Sequence, residues 1–274
     1  MVNNSKSWWI KPLALVHTDL RQPLLLDVDA FLLRNPTIIR QTKVYVDAGT
    51  LFFYDRVVPG AHFYNSLVAE SDNARFLDHI LKHFNYTAFG LRASLPSQHL
   101  ISSFAYRGLT CHEMDSSMVA IDKRRSDSAM RVLWWLITEL RFRHDFSWGD
   151  KEAFWLAYEL AQLPYAFSPW GVSVVSSSTN EDMKNHPDTL CGSIAQYMPV
   201  NETGVDPELL YVNGRAMLDP LTQGTNSPAA SPNIMYNTHP THAVPPMART
   251  ASKASTTKYA FECLIGLGST PLPL

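Results

Sequence analysis

Two acids one residue apart, Asp27 and Asp29 in Leu-Leu-Leu-Asp-Val-Asp-Ala-Phe-Leu-Leu, have the most direct route to chemistry in this sequence. Alternate residues of a strand face the same way, so both carboxylates can converge on one point. Two convergent hard oxygen ligands suit Mn2+ or Mg2+ bridging a diphosphate. A bare pair of this kind reads more readily as an acidic loop after a strand. The apolar runs at 24–26 and 30–33 shift that balance, because they sink the pair into a core where unpaired carboxylates are costly.

Glu113-Met114-Asp115-Ser116-Ser117 sets acids beside hydroxyls, a group able to bond sugar hydroxyls or to form an ordinary polar turn. In Trp148-Gly149-Asp150-Lys151-Glu152, Asp150 is either the cap of a following helix or a base facing a cleft. Lys151 is either a phosphate contact or a solvated charge. His239 and His242 are either surface loop residues or a source of a third metal ligand. Cys191 and Cys263 can pair if the compartment is oxidising. Gly-rich phosphate loops, a G-x-S-x-G elbow and an H-E-x-x-H helix are all missing from the sequence, which argues against P-loop enzymes, serine hydrolases and zincins.

These groups need elements to position them. Residues 21–33 read as a buried parallel strand whose exit carries the two acids, the edge where open α/β sheets bind ligands. Residues 44–54 predict a second strand with Gly49 inside it, and 118–121 a short strand entering the polar turn 122–125. Helical spacing appears over 73–84 and 126–142, the latter with Met130, Leu133, Trp134, Ile137 and Leu140 on one stripe. Asp150 opens a further helix. Eight of the eighteen prolines lie beyond Asp219, so 220–274 is set apart from 1–219 as a Pro/Ser/Thr-rich extension. An apolar patch at 259–265 suggests that the extension docks back on the core. Mixed strands and helices of this length indicate an α/β or α+β domain.

With 46% apolar and 18% charged residues in 274, a sizeable core is expected. Twenty-three basic against twenty-five acidic residues set up no field that recruits nucleic acid or an anionic membrane. No run of about 18 apolar residues exists to span a bilayer, and no signal-peptide pattern precedes the first acids. N-x-Ser/Thr sequons at Asn3, Asn85 and Asn201 permit a secretory-pathway protein without proving one.

Taken in order, LLLDVDAFLLRNP (24–36), GTLFFYDR (49–56), EMDSSMVAIDKRR (113–125), WGDKEAFWLAYEL (148–160), CGSIAQYMP (191–199) and LLYVNG (209–214) resemble the fungal and oomycete Golgi α-1,3-mannosyltransferase (Mnn1-like) family. The resemblance covers most of residues 20 to 215. It implies a metal-dependent glycosyltransferase of GT-A fold, with a Rossmann-like α/β domain, that moves mannose from GDP-mannose to a glycan or glycoprotein hydroxyl. By motif, Asp27 and Asp29 are implied as ligands of Mn2+ (or Mg2+) and the diphosphate. Asp115 and Ser116 are implied as donor-sugar contacts and Asp150 as the catalytic acidic residue near the acceptor, placed to orient or deprotonate its hydroxyl; the positive charge of Lys151 beside it is the expected phosphate contact. The family also implies Golgi lumen and a type II membrane anchor. Only 26 residues precede Asp27, so the expectation is a chain truncated at its N-terminus that lacks that anchor and the base-binding half. The alternative expectation is a non-catalytic glycan-binding or scaffold relative; a metal hydrolase built on Asp27, Asp29, His239 and His242 ranks third.

Overall fold

The computed structural model describes residues 7–69, 73–176, 187–200, 206–214, 240–249 and 263–272. The expected boundary at 219/220, His239 and the sequons at Asn3 and Asn201 lie outside them. In chain order the first elements are α1 (Ile10–His17), β1 (Leu24–Leu26), β2 (Ala30–Leu32), α2 (Lys43–Ala48) and β3 (Thr50–Tyr54). There follow β4 (Leu67–Val68), β5 (Ala74–Arg75), α3 (Phe76–His83), α4 (Gln98–Ser102), β6 (Met114–Ile121), α5 (Asp127–Thr138) and α6 (Lys151–Ala161). After α6 the elements among the described residues are strands: β7 (Ser173–Ser176), β8 (Leu190–Cys191), β9 (Ser193–Tyr197), β10 (Leu209–Asn213), β11 (His242–Ala243), β12 (Cys263–Leu264) and β13 (Thr270–Pro271).

Backbone contacts divide the chain into two units, one of residues 1–26 with 43–167 and one of residues 27–42 with 168–274. In the first, β6 is the central strand of a three-stranded sheet ordered β1-β6-β3. All eight residues of β6 are buried. The core around it takes Phe52 from β3, Met114, Val119 and Ile121 from β6, Leu77 and Ile80 from α3, Leu133 and Leu136 from α5, and Phe154, Trp155 and Leu160 from α6. Every residue of α6 after Lys151 is buried, so its apolar residues surround the helix instead of forming a stripe. In α5 the stripe holds at Met130, Leu133 and Ile137, while Trp134 turns outward at 41% exposure. In the second unit a six-stranded sheet runs β13-β11-β7-β9-β10-β2, and β12 pairs with β8 through a Cys191–Cys263 disulfide. The described parts of the proline-rich extension thus contribute the short strands β11, β12 and β13 to this unit.

The mixed α/β class agrees with the sequence, and three local expectations do not. Every ladder between these strands is antiparallel, including β1 against β6, where a parallel strand was expected at 21–33. That stretch is two short strands, β1 in one sheet and β2 in another, because the pairing of β2 to β10 takes the chain away after a turn at the acids. The strand expected at 44–54 begins only at Thr50. Residues 43–48 are helical, with Tyr45 buried, Val46 exposed and a Lys43–Asp47 ion pair one turn apart at 2.6 Å. Gly49, at φ +76°, ends that helix in the left-handed conformation that glycine adopts without a steric penalty.

Candidate functional site: a buried carboxylate and lysine cluster

The first unit brings three chain segments to one polar cluster: the residues just after β3, the start of β6 and the head of α6. Their convergence follows from the β3–β6 ladder, in which Tyr54 faces Met114 and Phe53 faces Asp115. The ladder continues past Tyr54, since the Asp55 amide donates to the Glu113 carbonyl at 2.8 Å. Between Leu51↔Ala120 and Phe53↔Asp115 the register shifts, so β6 carries extra residues at 116–119. Bulges of this kind re-aim side chains, and here the irregular stretch is Ser116 and Ser117 with their neighbours. Asp115 accepts both the Ser117 amide (3.0 Å) and the Ser117 hydroxyl (2.7 Å), one on each carboxylate oxygen.

Asp150 occupies the cap position of α6, yet its side chain makes no capping bond. The cap role falls to Ser147, whose hydroxyl accepts the Glu152 amide at 3.1 Å. Asp150 instead accepts the Ser116 hydroxyl on Oδ1 at 3.0 Å and pairs through Oδ2 with Lys11 Nζ at 3.2 Å. Lys11, from α1, also donates to the Ser116 carbonyl and hydroxyl at 2.9 and 3.1 Å. Gly149 makes this turn at φ +74°; a Cβ there would sit 2.9 Å from the ring of Trp8.

A second knot lies beside it. Lys151 Nζ is 2.5 Å from Asp55 Oδ2, and His112 Nε2 is 3.6 Å from the same oxygen. The Arg56 amide donates to the other Asp55 oxygen at 2.7 Å. Burial alone would push the Asp55 carboxyl up, but the charges of Lys151, His112 and Arg56 outweigh it and hold the carboxyl well below its usual range. Burial would likewise lower the Lys151 ammonium, and the Asp55 and Asp115 carboxylates raise it instead. Asp115 shifts the other way: burial, then the neighbouring Asp55 charge, raise its carboxyl against the pull of Lys151 and Ser117. Two acids driven apart in this way, next to a fixed ammonium, are what a site for acid–base and charged-ligand chemistry requires. Cys111 does not join it as a nucleophile, since burial pushes its thiol up to about 11.

Of the residues singled out from sequence, Asp115, Ser116, Asp150 and Lys151 are therefore brought together. Asp27 and Asp29 belong to the other unit, in the turn between β1 and β2 instead of on a strand. Both are half-buried around a fully exposed Val28, and their carbonyls accept the Ala30 and Gly214 amides at 3.1 and 3.2 Å. No group of three or more His, Cys, Asp or Glu capable of holding a metal occurs among the described residues. His242 sits in β11, bonded to the Thr241 hydroxyl. The donor set that Asp27 and Asp29 offer, two hard carboxylates half in solvent, nevertheless fits a divalent ion that takes its other ligands from phosphate and water. Sequence reasoning missed Asp55, His112 and Lys11. Asp55 carried a signal, being an acid directly after the apolar run Thr50–Tyr54; Lys11 and His112 carried none.

A family model described as "Mannosyltransferase putative" matches residues 2–197. The "Probable alpha-1,3-mannosyltransferase MNT4" of Saccharomyces cerevisiae is 26% identical over 220 residues, 74% of this chain and 34% of that one. In Candida albicans, the "Putative alpha-1,3-mannosyltransferase MNN13" is 27% identical over 55% of this chain and 19% of its own length. The "Putative alpha-1,3-mannosyltransferase MNN1" of the same organism is 29% identical over 55% and 18%. The matched region thus spans between about a fifth and a third of the length of these relatives.

Proposed function

The chain belongs to the mannosyltransferase family whose model spans its residues 2–197, and from that premise we propose that it transfers mannose from GDP-mannose to a glycan hydroxyl. One observation carries the proposal: Asp150 stands at the head of a helix that it does not cap, held by a hydroxyl and an ammonium. A carboxylate so fixed is suited to orient or deprotonate an acceptor hydroxyl within hydrogen-bond reach. Asp115 and Ser116 are assigned to the donor sugar and Lys151, fixed by Asp55, to the donor phosphates. Asp27 and Asp29, which belong to the other unit, are assigned on the family relation as ligands of Mn2+ or Mg2+, an ion that would supply Lewis-acid chemistry when bound. The GT-A assignment rests on the family relation alone, since the described strands pair antiparallel. A Golgi lumen location is supported by the Cys191–Cys263 disulfide, a bond that persists in oxidising compartments.

Calorimetry of the 274-residue chain with GDP and Mn2+ tests this reading. GDP binding that requires Mn2+ and is lost in Asp27→Ala supports an enzyme; glycan binding without any nucleotide binding would favour a scaffold instead. Asp150→Asn separates base from structure. It keeps an acceptor for the Ser116 hydroxyl and should leave GDP binding in place. Turnover should fall by about two orders of magnitude or more, the usual contribution of a positioned general base. Wild-type turnover in this variant would remove Asp150 from the chemistry.

A further inference from the structure

Of the three Asn-x-Ser/Thr sequons, Asn85-Tyr86-Thr87 falls within the described residues. It follows α3 and opens a short 3-10 turn at Tyr86–Phe89, which Gly90 ends at φ +69°. An aromatic anchor holds this turn against the first unit. Buried Phe84 meets the rings of Tyr86, Phe89 and Trp135 at centroid distances of 4.8, 5.0 and 5.4 Å. Asn85 and Thr87 alternate with the anchored rings, and both are exposed. The two residues that a glycosylation sequon specifies are thus on the surface, and the residue between them, whose type it leaves free apart from proline, fixes the turn.

The carboxamide of Asn85 is oriented by its oxygen. Oδ1 accepts the Thr87 hydroxyl at 2.8 Å and the Ala88 amide at 3.2 Å. The Ala88 amide can only donate, which fixes the oxygen on that side and the nitrogen on the other. Nδ2 makes no hydrogen bond among the described residues and is left to solvent. A sugar added to Nδ2 therefore breaks no bond of the fold, because the cap of the turn runs through Oδ1. The Cys191–Cys263 disulfide supports the same setting, since such bonds persist in the oxidising compartments of secreted proteins, the class in which asparagine is glycosylated.

We propose that Asn85 is a modification site, its Nδ2 bonded to an oligosaccharide delivered from a lipid-linked diphosphate. Nδ2 gives up one proton and bonds to the anomeric carbon of the sugar. The bond from that carbon to the phosphate oxygen breaks, and the diphosphate leaves with the electron pair. The proton passes to a base of the glycosylating enzyme, and nothing is oxidised or reduced. The inference rests on the lumenal location proposed above and is independent of the chemistry proposed there. Peptide mass spectrometry of the protein isolated from its own cells, before and after enzymatic release of N-linked glycans in heavy-oxygen water, is the test. The peptide that contains Asn85 should appear without glycan only after release, with a heavy-labelled aspartate at position 85. Expressed in the same cells, Asn85→Asp and Thr87→Ala should each lose the glycan, and Thr87→Ser should keep it. Asp caps about as well as Asn, so the loss in Asn85→Asp is not a loss of fold. Bare Asn85 in a chain whose Cys191 and Cys263 are bonded overturns the site alone. Bare Asn85 with both cysteines as thiols overturns the lumenal location and the site with it. A chain glycosylated at Asn85 that binds no GDP supports the site and sinks only the transferase reading.

Discussion

Lys151→Met is expected to lower the unfolding free energy by about 3 kcal/mol, the low end of what removing one member of a buried ion pair costs. The low end applies because the Lys151 side chain is 26% exposed and Asp55 only 3%. In a chain of this size such a loss moves the thermal midpoint down by roughly 6–12 °C. The cause is the carboxylate left behind: Asp55 keeps its burial and loses the nearest charge that offsets it. Adding Asp55→Asn to Lys151→Met should therefore recover part of the stability, which a merely cavity-forming substitution would not allow. The pH dependence gives a second check. The folded Asp55 carboxyl lies below its unfolded value of about 3.9. Its contribution is thus fully present above that value and lost as pH falls through the folded one. The deficit of the variant should narrow as pH drops below about 4, where a neutral Asp55 needs no partner. Equal midpoints for variant and parent at pH 7 would show that the pair contributes nothing.

The same pair marks the limit of what the sequence discloses. The helices over 73–84 and 126–142 are legible because their apolar residues recur every three or four positions, a local signal that survives folding: the structure has α3 at Phe76–His83 and α5 at Asp127–Thr138. Residues 43–48 are not, since Val44, Tyr45 and Val46 favour a strand by type and only the turn at Gly49 and the burial of Tyr45 select a helix. At the site, Asp115, Ser116, Asp150 and Lys151 stand out as polar residues inside or beside apolar runs. What they do depends on pairing that no short window contains. Asp150 looks like a cap until Lys11, 139 positions earlier in the chain, is found against it. Lys151 looks like a surface charge until β3 delivers Asp55 to it. A bulge in β6, invisible in composition, decides where Ser116 points.

Glu152→Ala should be the most damaging single change in the first unit, with a loss of about 3–5 kcal/mol that leaves little of an ordinary domain's stability. Glu152 is fully buried one residue inside α6. Its Oε1 accepts the amides of Glu113 and Met114 at 3.1 and 3.0 Å, and its Oε2 accepts the Trp155 indole at 2.6 Å. One carboxylate thus ties the start of β6 to the head of α6, the two segments that carry Asp115 and Asp150. Alanine leaves two buried amides and an indole without an acceptor, each an outright loss, and opens a cavity as well. Glu152→Gln should cost less, about 1–3 kcal/mol, because one carbonyl oxygen remains for the amides while its NH2 faces the indole donor. Burial pushes the Glu152 carboxyl up to about 8 against the pull of Met114, Trp155 and Lys151. Its folded value therefore lies above its unfolded value of about 4.3. The fold binds the extra proton between those limits, so stability is greatest below the lower one and declines as pH rises through about 8. Unfolding curves of parent and Glu152→Gln across pH 4 to 9 read this directly: the parent should lose stability with rising pH more steeply than the variant. Parallel curves, or a Glu152→Ala chain that melts with the parent, would show that the β6–α6 tie is not made through this carboxylate.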